Sequence, residues 1–185
     1  MKKHVNPHLY YYALTVLLIF ISKWYFSVSD IDDLKSMFYP LVFAIEAFTG
    51  FTLQYLPNQG YFESHLNFLI TKSCLGFNFI LISFGCAAFI FSRYFYLGKF
   101  AWMRFLLLVL ATILFGFIVN AFRILSLALS EHYIAEANSH QGWMHETFGA
   151  MIFIAALLIY TFLLFKMNQK YYTPEVRGIS PRRIS

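Results

Sequence analysis

The chain has 185 residues, of which 59% are hydrophobic and 12% are charged, with a formal net charge of +5. Soluble domains carry roughly 25% charged residues, so this composition excludes an ordinary soluble domain and favours a single integral membrane bundle. The positive residues cluster at the ends of apolar runs and near the C-terminus, as they do in the cytoplasmic loops of membrane proteins. No basic patch interleaved with stacking aromatics occurs. We therefore expect a membrane as partner and no nucleic acid.

Five apolar segments follow one another along the chain. They run over Tyr10–Phe26, Met37 to about Tyr55, Cys74–Phe91, Phe105 to about Ser130, and His145–Phe165. Each approaches or reaches the length of about 20 helical residues that crosses a hydrocarbon core of about 30 Å. Unpaired backbone groups are very costly in lipid, so helices are the expected structure. The predicted fold class is all-α, a polytopic transmembrane helix bundle.

The segments form one predicted domain with a short tail. Residues 1–165 are expected to make the membrane bundle. Residues 166–185 are basic and contain Pro174 and Pro181, so we expect a disordered cytoplasmic tail.

Charge also predicts orientation. The positive-inside rule places the tail and the Ser92–Arg104 loop in the cytoplasm. The stretch before Cys74 and the 131–144 loop then face outward.

The N-terminal half leaves two alternatives. Lys2 and Lys3 favour a cytoplasmic N-terminus, which conflicts with five full crossings. Either this lysine pair is overruled, or the second segment, which contains Glu46 and Gly50, enters the membrane and returns. The sequence leaves both open.

The chain contains two cysteines, Cys74 and Cys86. On one helix they would lie about 18 Å apart, whereas a disulfide needs Cα atoms within roughly 7 Å. We expect two free thiols. No CxxC or His/Cys metal spacing occurs, and no metal or cofactor is predicted.

Three polar side chains are predicted to reach one depth on three different helices. Counted from the cytoplasmic basic residues at 1.5 Å per residue, each arrives near the outer membrane surface. The distances are about 28 Å from Arg93 to Cys74, about 28 Å from Arg104 to Arg123, and about 32 Å from Lys166 to His145.

Arg123 is the least easily explained of the three, because an arginine in a membrane segment costs a few kcal/mol unless it meets a partner, water or headgroups. Asn120 and Ser126 share its helix face, which predicts a polar stripe directed into the bundle. Cys74 taken alone would be a small buried hydrophobe, and His145 taken alone a helix cap.

Together the three residue types suit acyl transfer. A thiolate attacks a carbonyl, and an imidazole takes up the thiol proton and returns it to a leaving amine. A guanidinium stabilises the oxyanion of the tetrahedral intermediate. The substrate would be a peptide bond or an ester near the outer surface.

The ordered motifs "KSCLGFNF", "VNAFRI" and "MHETFG" resemble those of the exosortase/archaeosortase family, and most closely exosortase K. The resemblance implies that Cys74 is the nucleophile, Arg123 assists the substrate or oxyanion, and His145 is the general acid/base. Family members usually have Ser-Gly after the cysteine. Here Leu75 replaces that serine, while Gly76 is kept.

The resemblance also implies a function and a location. Such proteins are multi-pass proteins of the cell membrane, with the active site on the extracytoplasmic side. Their substrates are exported proteins whose C-terminal signal combines a short motif, a transmembrane helix and a basic end. They cleave outside that helix and transfer the new C-terminus to an acceptor, whose identity the sequence does not specify.

Four further residues are candidates for substrate binding or support. Asn120 lies near Arg123, and Gly76 and Asn78 follow the cysteine. His65 lies in the polar stretch before Cys74 and is the rival general base.

Two other classes of function compete with this one. In a non-catalytic scaffold or transporter subunit, Arg123 and Glu46 would form a buried ion pair on a solute path. A haem or quinone redox protein is disfavoured because no histidine lies in the middle of an apolar run.

Overall fold

The protein is described by a computed structural model covering residues 7–64, 68–94, 100–134 and 141–171. At residues 7–8, 94, 128–134, 141–146 and 168–171 the backbone alone is described.

Five helices make up most of the described chain: α1 (Pro7–Val28), α2 (Lys35–Thr49), α3 (Phe77–Tyr94), α4 (Ala101–Ile134) and α5 (Gln141–Tyr171). A 3-10 turn, Lys72–Leu75, precedes α3. Three short strands lie between α2 and this turn: β1 (Gln54–Leu56), β2 (Gly60–Glu63) and β3 (Phe68–Ile70). The predicted helical bundle is confirmed. The small sheet was not predicted.

Four segments are long and apolar enough to cross a membrane. They are Leu9–Val28, Lys72–Arg93, Ala101–Leu127 and Thr147–Met167. The chain is therefore a multi-pass membrane protein. The α2 helix is not among these segments, so the second apolar stretch of the sequence does not make a fifth crossing.

The α2 helix ends because of a glycine. Gly50 adopts a left-handed conformation with φ of 72° and donates its N–H to the Glu46 carbonyl at 2.8 Å. A side chain at this φ would be strained, so glycine is the residue that suits the position. The Glu46 carboxylate then accepts the Leu53 N–H at 2.8 Å. The predicted continuation of this segment to about Tyr55 is wrong, because these two bonds turn the chain into β1.

The three strands form an antiparallel sheet in the order β1-β2-β3. Tyr61 in β2 pairs with Tyr55 on one side and with Ile70 on the other. Its ring also packs against Phe38 of α2, with the ring centroids 5.6 Å apart. Strands of three or four residues offer too little alternation for a sequence pattern to reveal them.

We call α2, the sheet and the 3-10 turn the cap. Its core joins these parts to α4 through the following buried side chains: Leu34, Phe38, Leu41, Val42, Ile45, Leu53, Ile70, Leu75, Ala121 and Ile124. Since Ala121 and Ile124 lie in the last third of the α4 span, the cap packs at one end of the bundle.

The end of α1 lies beside the cap as well. The Lys72 ammonium donates to the backbone carbonyls of Ser29 at 2.6 Å and Ser27 at 3.3 Å. The C-terminus of α1 and the turn before α3 thus meet at the same end of the bundle. The contacts of α2 lie at that end too, so α2 does not run the length of the bundle.

The other end of the bundle has its own aromatic core. Tyr11, Phe84, Phe91 and Phe105 are buried together there, joining α1, α3 and α4. The α5 helix continues beyond Lys166, the predicted start of the tail, to Tyr171. Residues 172–185 lie outside the described residues.

A polar contact ties the α1–α2 connection to the sheet. The Tyr55 hydroxyl donates to the Asp32 carboxylate, and Lys35 lies 3.8 Å over the Tyr55 ring. The hydrogen bond to Asp32 raises the pKa of Tyr55 to about 12, and the same bond lowers the pKa of Asp32.

This contact predicts a pH dependence. The raised pKa of Tyr55 favours the neutral phenol in the folded state, so its contribution to stability is complete below the usual tyrosine pKa of about 10 and is lost as pH rises towards about 12. We expect Tyr55 to add nothing to the tyrosinate absorbance at about pH 10.5, measured as the difference between wild type and Tyr55→Phe. The comparison is repeated between Asp32→Asn protein and the Asp32→Asn, Tyr55→Phe double variant. There the absorbance difference should show that Tyr55 is half-ionised near pH 10. Equal titration of Tyr55 in both backgrounds would contradict the contact.

Candidate active site

Cys74 lies in the 3-10 turn, not at the head of α3 as its position before an apolar run predicted. Thr71 precedes the turn in an extended conformation, and its carbonyl accepts the Cys74 N–H at 2.9 Å. Gly76, with φ of 64°, then separates the turn from α3, which begins at Phe77. The left-handed residue breaks the helical path, so the cysteine sits on a separate turn outside the helix.

The thiol is free and half-buried. Its sulfur lies 3.6 Å from the Thr71 hydroxyl, which also shares a hydrogen bond with Ser73 at 2.8 Å. The Cys74 side chain packs against the core of the cap. Cys86 is also free and half-buried on α3, so the prediction of two free thiols is confirmed.

Asn120 of α4 connects this turn to the predicted arginine. Its side chain is fully buried. The amide nitrogen donates to the Cys74 backbone carbonyl at 2.6 Å, and the amide oxygen accepts from Arg123 Nη1 at 3.4 Å. A buried amide needs partners for both of its ends, and here one partner is the cysteine turn and the other is the guanidinium.

Gly76 allows Asn120 to come this close. A Cβ atom on Gly76 would lie 2.6 Å from the Asn120 amide oxygen, well inside normal contact distance. The glycine is thus required twice, for its positive φ and for this approach. Gly76 and Asn120, both predicted to support the site, therefore lie against each other; their roles stay a prediction.

Arg123 extends from α4 onto α5. Its guanidinium carbon lies 4.9 Å over the Phe153 ring, a cation–π contact. A Cβ atom on Gly149 would lie 2.7 Å from Arg123 Nε, so the side chain crosses α5 at the glycine. The Nε atom is buried and has no hydrogen-bond partner in the described part of the chain. Because Nε is buried against α5, only the terminal nitrogens of Arg123 can donate to a bound group.

Two predicted site histidines cannot be placed by their side chains. His145 is in α5, one helical turn before Gly149, so the two positions share a helix face. The His145 side chain lies outside the described residues, and so does all of His65. The structure brings together the turn of Cys74, Arg123 and the helix that carries His145.

Asn78 takes part in a different contact. It is exposed at the start of α3, and its amide oxygen accepts from the Lys23 ammonium of α1 at 2.6 Å. Glu46 caps the turn after α2 and makes no contact with Arg123 among the described residues. The ion pair required by the transporter alternative is therefore not formed.

A cavity of about 450 Å³ lies next to these residues, between α1, α3 and α5. At one end it is lined by polar side chains, among them Lys72, Ser73 and Arg123; at the other it is lined by apolar side chains, among them Ile82 and Ile154. The Cys74 turn borders it through Ser73 and Gly76. Because Arg123 is among the lining residues, a ligand in this cavity would contact its side chain.

Sequence reasoning gave no role to Lys72 or Lys23, and it named Gly149 only among the small residues that could admit close approach of a helix. Lys72 was part of the quoted "KSCLGFNF" motif, and two residues before a candidate nucleophile it could have been noticed. The contacts of Lys23 and Gly149 depend on helix packing.

Among the described residues, no group of three His, Cys, Asp or Glu side chains could hold a metal ion.

Comparison with known proteins gives one match. The family model described as transmembrane exosortase (Exosortase_EpsH) matches residues 8–162. This range contains the cap, the first three candidate spans in full, the fourth as far as residue 162, and all three quoted motifs. No curated protein matches the chain, and no solved structure does.

The Arg123–Gly149 contact predicts that Gly149→Ala destabilises the protein. The new methyl group would collide with Arg123 Nε, and overpacking of this kind costs about 1–3 kcal/mol. The measurement is thermal unfolding of the purified protein in detergent. Gly85→Ala is the matched control, since a Cβ atom there would lie 3.6 Å from its nearest neighbour, an ordinary contact. Equal effects of the two substitutions would show that Arg123 does not rest on Gly149.

Proposed function

Because the chain belongs to the transmembrane exosortase family, we propose that it is a membrane-embedded cysteine peptidase or transpeptidase. Its substrates are exported proteins that carry a C-terminal sorting signal, composed of a short motif, a transmembrane helix and a basic end. The enzyme cleaves near the outer face of the cytoplasmic membrane and transfers the new C-terminus to an acceptor. Within the family the motifs most resemble those of exosortase K.

The observation that carries the proposal is the double contact of Asn120. A single buried amide binds the backbone of the Cys74 turn and the guanidinium of Arg123. The candidate nucleophile and the candidate oxyanion partner are therefore held on the same side chain, although they are 49 residues apart in sequence. Such fixed placement is what electrostatic stabilisation of a transition state requires.

The proposed reaction has two stages. His145 takes the thiol proton, and the Cys74 sulfur attacks the carbonyl carbon of the scissile peptide bond, forming a C–S bond and an oxyanion. Arg123 donates hydrogen bonds to that oxyanion. The intermediate collapses, the C–N bond breaks, and His145 returns the proton to the leaving amine.

The resulting thioester is resolved by an acceptor. An acceptor nucleophile, or water, loses its proton to His145 and attacks the same carbonyl carbon. The C–S bond then breaks and the thiolate is released. Asn120 is a positioning residue in this scheme, since its amide is already occupied by Cys74 and Arg123.

The arrangement of helices supports an outward-facing site. Four crossings place the start of α1 and the end of α5 on one side of the membrane. The basic residues Arg93, Arg104 and Lys166 lie at that side by their positions in the helices, and Lys2 and Lys3 precede α1 in the sequence. By the positive-inside rule we expect this side to be cytoplasmic, which supports an outer location for the cap and Cys74.

The two free cysteines give a matched pair of variants for the nucleophile. Cys74→Ala should abolish processing of a sorting-signal substrate while the protein still accumulates in the membrane, because no other group supplies the attacking sulfur. Cys86→Ala should leave processing unchanged. Accumulation of precursor and product is measured by immunoblot in cells that express the substrate. Continued processing by Cys74→Ala protein would exclude the proposed mechanism.

The role of Arg123 is tested by a change that keeps its charge. Arg123→Lys loses the planar fork of donors and the reach to the Asn120 oxygen. Loss of one oxyanion donor lowers kcat by about 10²–10³ fold, and we expect a fall in this range with little change in KM. A variant that altered KM alone would indicate substrate binding without oxyanion stabilisation.

Sidedness is tested with a membrane-impermeant maleimide on intact cells. Wild-type protein and Cys86→Ala should be labelled from outside, and Cys74→Ala should not. Labelling of wild type only after the membrane is opened would place the site on the cytoplasmic face, contrary to the proposal.

A further inference from the structure

The cavity described above is asymmetric in both charge and polarity. Lys72 and Arg123 line one end, and the Lys23 ammonium is bonded to a third polar lining residue, Asn78. Among the side chains that the structure describes, none that lines the cavity is acidic. Two positive side chains thus line this end of the cavity and a third is bonded to one of its lining residues, with no carboxylate among the described lining side chains.

These groups keep donors for a ligand. Among the described residues, the Lys23 ammonium donates one hydrogen bond, and Arg123 Nη1 donates one long bond of 3.4 Å to the Asn120 amide oxygen. Charges at the edge of a membrane are costly unless they are paired or hydrated. The cluster is therefore suited to an anion, and a guanidinium beside ammonium groups suits the oxygens of a phosphate in particular.

The other end of the cavity is apolar and opens to lipid. Ile82 of α3 and Ile154 of α5 line it and are 55% and 60% exposed. Both lie within segments that cross the membrane, so their exposed surfaces face acyl chains. The cavity therefore continues from a cationic end near the membrane surface to an apolar end that opens into the bilayer.

From these features we propose that the cavity between α1, α3 and α5 binds an anionic phospholipid. Its phosphate lies among Lys23, Lys72 and Arg123, and an acyl chain follows Ile82 and Ile154. A lipid satisfies both ends of the cavity at once, whereas a free anion satisfies the cationic end alone. This site shares Arg123 with the catalytic proposal, but it requires no reaction at Cys74.

The test is binding to the purified full-length protein in a neutral detergent, measured by thermal unfolding against ligand concentration. The probes are dioctanoyl phosphatidylglycerol, dioctanoyl phosphatidylcholine and inorganic phosphate. We expect phosphatidylglycerol to stabilise the protein at concentrations about tenfold lower than phosphatidylcholine. Inorganic phosphate should have no effect in the same concentration range.

Two substitutions act on the two ends separately. Asn78→Asp adds a carboxylate at the cationic end, which neutralises Lys23 and repels the phosphate, so the affinity for phosphatidylglycerol should fall about tenfold or more. In Ile82→Trp the larger side chain occupies the apolar end of the cavity, where the acyl chain would lie. Binding of the lipid should weaken, while the cationic side chains are unchanged. The control is Arg104→Gln, which removes an exposed cation from the start of α4 at the opposite end of the bundle and should leave the affinity unchanged.

Several results would overturn the proposal. Equal affinity for the two lipids would show that the cationic end does not select an anion. Equal stabilisation by inorganic phosphate would reduce the site to a free-anion site. Competition by a soluble acidic peptide at lower concentration than the lipid would assign the cavity to a peptide. Since Ile82→Trp changes an exposed residue, it keeps the test decisive even if Asn78→Asp fails to fold. Substrate processing is not among the readouts, so this result and that of the catalytic variants are separable.

Discussion

The bond between the Asn120 amide and the Cys74 carbonyl is the interaction on which the candidate site depends. The cysteine is on a short turn of four residues, which has little intrinsic stability. The buried amide fixes this turn to α4, and its other end holds Arg123. An unpaired buried amide would cost roughly 1–3 kcal/mol, so the protein is most stable when the turn and the guanidinium are both in place.

Glycines make this arrangement possible. Gly76 lets the turn approach Asn120, and Gly149 lets Arg123 cross α5. In each case the absent side chain leaves room for a polar group of a neighbouring helix. Close approach of this kind is a common use of small residues between transmembrane helices, where interhelical hydrogen bonds and packing replace the hydrophobic effect. The site is therefore built into the contacts between α3, α4 and α5.

The cap gives the site its surroundings. The α2 helix and the sheet cover one end of the bundle, and their core includes Leu75, the residue after the cysteine. Leu75 is buried at 1% exposure. The Leu75 side chain holds the turn in the core of the cap. The hydroxyl beside the Cys74 thiol is that of Thr71.

The sequence alone determined the membrane class, the number of apolar segments and the three motifs, because apolar length and the types of reactive side chain are local properties. It also predicted correctly that Asn120 and Arg123 lie on the same face of their helix, since residues three apart share a helix face. It did not show that α2 stays at one end of the bundle, that Cys74 lies outside α3, or that Lys23 reaches Asn78. Those features depend on a left-handed glycine, a short sheet and contacts between distant helices, and only the packing of the folded chain decides them.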